Sequence, residues 1–109
     1  MTVLATLPSV EQLVAVELDA LPDWLLAALE RVPVVVSDGG AREHAYGLYQ
    51  GDGVARDDYP DRIVIFRDSL LRDFGDDPAR LRAEVRDTLR HEIAHHLGWD
   101  EGGVRALGF

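Results

Sequence analysis

Apolar positions along the chain fall into a helical period at both ends and a strand-like pattern in between. Near the start, Leu13, Val14, Leu18 and Leu21 recur at helical spacing, and Ser9 with Gln12 forms a capping box, each side chain able to satisfy a backbone N–H of the other. Pro22 suits the first position of a second helix, whose stripe is Trp24, Leu25, Ala28 and Leu29. The two predicted helices form a short hairpin over a sheet. Residues 32–37 are β-branched, stop at Asp38-Gly39-Gly40 and predict a buried strand, with Pro33 near its start where a missing donor matters least. Residues 46–50 predict a second strand, 51–59 a polar loop, and Arg62–Phe66 a third strand with Ile63 and Ile65 on one face and Val64 and Phe66 on the other. Residues 69–74 look like one turn of helix.

The last element is the clearest. Asp77 can cap it, Pro78 fits its first position, and Leu81, Val85, Leu89, Ile93 and Leu97 repeat every four residues. Gly98 follows, where a left-handed residue commonly ends a helix. The order predicts an α+β fold: one compact domain over residues 1–109, with a small mixed sheet, an N-terminal helical hairpin and a long C-terminal helix.

That helix carries His91-Glu92-Ile93-Ala94-His95, an HExxH spacing. Side chains four apart lie one turn above each other, so two imidazoles can hold one zinc ion from a rigid backbone. Glu92 stands beside them, placed to take a proton from a zinc-activated water and return it to a leaving amine. The 81–97 apolar row lies roughly 200° around the helix from the two histidines, which puts the row in the core and the imidazoles in a cleft. Three of the four histidines fall within six residues, which a merely solvated polar face does not explain.

A catalytic zinc takes three protein ligands and a water. Only eight residues follow Glu101, so a ligand from a later helix has little room. A tight return after Gly98 can instead bring Asp100 or Glu101 to the metal, and the spacing HExxHxxGxxE favours Glu101. His96 points about 100° from His95 and reads as a packing residue near the site. His44 reads as a loop residue and Trp99 as a cover for the helix end. An oxyanion also needs stabilising: Tyr46, Tyr49, Tyr59 and Arg90 are the candidates, with Tyr49 first, against the ordinary expectation that such residues pack. If Arg62–Phe66 were the sheet edge beside the metal helix, its backbone could hold an extended peptide; an interior strand is the alternative.

His91–Phe109, with HExxHHxGxxE and the closing Leu107-Gly108-Phe109, resembles the small bacterial zincin-like metallopeptidases. So do the helical hairpin, Val34–Val36, Gly47-Leu48-Tyr49-Gln50-Gly51 and Pro60–Phe66. The resemblance covers nearly the whole chain. It implies a minimal zincin domain with His91 and His95 as zinc ligands and Glu92 as catalytic base, acting on peptide or protein substrates. Members of that family typically carry Asp where this chain has Glu101, and the loop at 51–59 is shorter here. A different class of function stays open beside the enzyme: a zinc-bearing regulatory or interaction module without turnover, or, more remotely, an acidic interaction domain without metal.

Composition narrows the rest. The net charge is −9, from 20 acidic residues against 11 basic ones, all arginine. A chain so acidic repels phosphate backbones, so nucleic acid is not an expected partner. There are no cysteines, which removes disulfides, thiolate zinc sites and cysteine nucleophiles. No secretory signal or membrane span is visible, and the cytoplasm is the expected location.

Overall fold

The computed structural model describes residues 8–51 and 61–98. Helix α1 (Val10–Asp19) starts at the Ser9 box, with both reciprocal hydrogen bonds present. A short link leads to α2 (Asp23–Ala28), which follows Pro22. Strand β1 (Val34–Ser37) is followed by α3 (Gly40–Glu43), β2 (Gly47–Gln50) and β3 (Arg62–Phe66). Helix α4 (Arg67–Phe74) leaves β3 directly, and α5 (Pro78–His96) completes the described chain. Asp77 caps α5 as its sequence predicts, its side chain accepting from the Arg80 N–H.

The sheet order is β1-β3-β2, with β1 parallel and β2 antiparallel to β3. The register puts Val34, Val36, Ile63, Ile65, Gly47 and Tyr49 on one face, because residues two apart share a face. That face meets the helices. Ile63 and Ile65 are fully buried against a core drawn from Val10, Leu13 and Val14 of α1 and Leu81, Val85, Leu89 and Ile93 of α5. The four-residue row of α5 therefore lies in the core, and Leu97 packs against its margin.

One alternative left open by the sequence is resolved, and one feature is added to it. β3 is the central strand, paired on both sides, so the edge strand beside α5 is β2. The connection between β1 and β2 is also more structured than the glycines there predict. Helix α3 is too short to show a period, and its N-terminus is capped from far along the chain: Asp68 accepts from the Gly40 N–H at 2.9 Å and the Ala41 N–H at 3.4 Å. Those backbone donors, with Gly40 contributing most, hold the Asp68 carboxyl down to about 2. Gly40 has to be glycine here, since a Cβ would come within 2.0 Å of Ser69 Oγ and 2.7 Å of the Ala45 carbonyl oxygen.

Candidate metal centre

Helix α5 carries the HExxH residues, and its core row fixes which way they face. With Leu89 and Ile93 fully buried, His91 is half-buried and the His95 side chain is 48% exposed on the other side. The two imidazole rings lie 4.4 Å apart between centroids, at 67° to each other. The two rings are thus close neighbours on one face of α5. Glu92 lies between the histidine face and the core. It is only 6% exposed, and its Oε1 sits 2.9 Å from His95 Nδ1. With Nδ1 engaged by a carboxylate, Nε2 is the His95 nitrogen left for a metal. Two neutral nitrogen donors with a buried carboxylate alongside fit zinc in donor chemistry.

The burial of Glu92 comes from β2. Gly47 lies beneath it, with no side chain to hold helix and strand apart. Tyr46, Gly47, Asp87, Thr88, His91 and Glu92 line a cleft of about 280 Å³ between them. At the Tyr46 wall, the phenol donates to Asp73 Oδ2 at 2.5 Å, which raises the Tyr46 hydroxyl above its ordinary range. Arg72 and then Tyr46 hold Asp73 down to about 2.

Two residues along β2, Tyr49 meets the last turn of α5. Its hydroxyl donates to Asp61 Oδ2 at 2.7 Å and lies 3.2 Å from His96 Nδ1. His96 also packs edge-on against the Tyr49 ring, and its Nδ1 is 3.6 Å from Asp61 Oδ2. Asp61 is 5% exposed, and its other oxygen has no hydrogen-bond partner among the described residues. His96 is thus the packing residue its position predicts. Tyr49, the first choice for oxyanion contact, has its proton committed to Asp61. Sequence reasoning gives neither Gly47 nor Asp61 a role at the site, although both lie in segments that carry the family resemblance; the local hints are a glycine inside a strand pattern and an acid directly before an apolar strand.

His91, Glu92 and His95 lie beside one another on α5. Glu101 and Asp100, the candidates for third ligand, lie outside the described residues, as do Trp99 and Tyr59. Among the described residues no group of three or more His, Cys, Asp or Glu side chains surrounds a common point. The described residues contribute a histidine pair and an acid. His44 ends α3 in a left-handed conformation, with φ of 53°. Gly98 follows α5 with φ of +73°, the stop its sequence predicts.

An α+β domain with HExxH on a core-backed helix beside a sheet edge defines a class, the zincins. Residues 12–109 match the zincin-like metallopeptidase family, so the chain belongs to it. No curated protein matches the chain at a significant level. Among the described residues, no helix is long and apolar enough to cross a membrane.

Proposed function

We propose that this chain is a zinc-dependent peptidase that hydrolyses peptide bonds, with His91, His95 and Glu101 holding the metal and Glu92 as general base and acid. The observation that carries this is the placement of a buried carboxylate against a pair of imidazoles 4.4 Å apart, at the mouth of a cleft. Zinc held there supplies Lewis acidity, which polarises a carbonyl and acidifies water.

The chain's own residues do the rest. The backbone of α5 fixes the spacing of His91 and His95. Glu92 holds His95 through Nδ1, orienting the ring, and lines the cleft where it can accept a proton from water and pass it to the departing amine. The seam between α5 and β2 shields that carboxylate from bulk solvent and fixes its position beside the histidines. Strand β2, an edge among the described strands, offers backbone groups to an extended peptide. With its hydroxyl spent on Asp61, Tyr49 acts on the helix end, and oxyanion stabilisation falls to the metal. The lack of cysteines suits a reducing compartment, and we place the activity in the cytoplasm.

The test uses purified protein titrated with zinc and a mixed peptide library. Wild type should take up about one zinc per chain and cleave. Glu92→Gln should keep the metal and lose roughly 100-fold or more in kcat. A protein that takes up no zinc, or a Glu92→Gln variant as active as wild type, would defeat the proposal. Stoichiometric zinc without any cleavage would identify a binding module instead.

A further inference from the structure

We infer that the cleft beside Glu92 is a subsite for a basic side chain of the peptide substrate, with Asp87 as its specificity-determining residue. This deepens the peptidase reading above and rests on it. The cleft, about 280 Å³, lies where Gly47 lets β2 approach α5 closely; Tyr46 and Thr88 form walls, and His91 and Glu92 form the end where the chemistry would occur. Asp87 lines the same space. It stands four residues before His91, one turn earlier on the same helix face.

Charge decides what such a space accepts. Of the six lining residues, Asp87 and Glu92 are carboxylates and none is Lys or Arg. Glu92 is buried and bound to His95. The Asp87 side chain is 60% exposed, and Arg86, its chain neighbour, approaches it with Nε at 3.2 Å from Oδ1. An exposed pair of this kind is weak and readily exchanged for another cation. The Tyr46 phenol has committed its proton to Asp73, so this wall adds an acceptor and not a donor. A long cationic side chain suits these surroundings: its apolar stem lies along the Tyr46 ring and its head meets Asp87. A glutamate head at the Asp87 end would face that carboxylate, with no Lys or Arg among the lining residues to pair with it, which selects against it.

The experiment compares matched peptides that differ only in arginine against citrulline at the positions flanking the cleaved bond. Cleavage by zinc-loaded wild type is one readout; calorimetric binding to zinc-loaded Glu92→Gln is the other. Arginine should be favoured roughly three- to tenfold in both, the range for a partly exposed charge pair, and the preference should shrink as salt is added. Asp87→Asn should bring the ratio to about one, Asp87→Glu should restore it, and Asp19→Asn, which makes the same charge change at the exposed end of α1, should leave it as in wild type. No arginine preference in wild type, or a preference that survives Asp87→Asn, overturns the subsite. Binding preference without any cleavage supports the subsite and counts against the peptidase reading; cleavage without preference does the reverse. Peptides that are neither bound nor cleaved defeat both.

Discussion

Gly47 and Glu92 face each other across the seam between β2 and α5, at a separation that leaves no room for one more methyl group. A Cβ at residue 47 would lie 3.2 Å from Glu92 Cγ and 2.6 Å from Thr88 Cγ2. The strand can lie this close to the helix, and the acid can be this buried, because residue 47 is glycine.

Gly47→Ala should therefore cost stability and chemistry together. Overpacking of this kind typically costs about 1–3 kcal/mol, readable by urea denaturation. Displacing the acid should lower kcat roughly tenfold or more while KM changes little, since small misplacements of a catalytic group are felt in the chemical step. Adding Thr88→Ser removes the closer clash and should recover stability, but kcat should stay low because the contact with Glu92 remains. A Gly47→Ala protein with lost stability and normal kcat would separate this spacing from catalysis.

The histidine pair predicts a division between binding and turnover. His91→Ala or His95→Ala should each reduce zinc uptake well below one per chain, while Glu92→Gln retains it. Chelation of the wild-type metal should lower the melting temperature, and zinc should restore it, because a ligand bound only by the folded state stabilises that state. Equal zinc uptake by wild type and both alanine variants would place the metal elsewhere.

The Tyr49–Asp61 bond predicts a different phenotype. Tyr49→Phe leaves a buried carboxylate without its donor, which should cost about 1–3 kcal/mol of stability. The variant should nonetheless bind zinc and retain kcat within a few-fold, since its hydroxyl faces Asp61 and not the cleft lining. A collapse of kcat with normal stability would return Tyr49 to the role of oxyanion donor.

These residues also show how far the sequence can be read. Helix α5, its Asp77 cap, its Gly98 stop and the facing of His91, Glu92 and His95 follow from local spacing, which an isolated sequence states directly. Arg62–Phe66 is legible as a strand, but its central position is not, because strand order depends on pairing between distant segments. Tyr49 is 47 residues from His96 and 12 from Asp61, and no periodicity links them. Helix α3 escapes a local reading for the same reason: its cap, Asp68, lies 28 residues beyond Gly40.

Asp68 also sets a pH dependence. Its carboxyl titrates at about 2 in the folded chain against an ordinary value of 3.8, so the folded state binds its proton less readily than the unfolded one. The stability it contributes is complete above pH 4 and is lost as pH falls from about 4 to about 2. Asp68→Ala should therefore lower stability at neutral pH and flatten this region of the acid-unfolding curve. An unchanged slope between pH 4 and 2 would show that the backbone donors of Gly40 and Ala41 do not govern its titration.

His95 lies in the final turn of α5, which ends at His96, whereas His91 lies a full turn deeper. Helix ends fray before helix middles, and fraying here would pull the two nitrogen donors away from each other. The order of a single terminal turn and the capture of an ion are thus one equilibrium seen from two sides: whatever anchors that turn, including the contact of His96 with Tyr49 and Asp61, tightens the ion's hold, and the ion in turn keeps the turn wound.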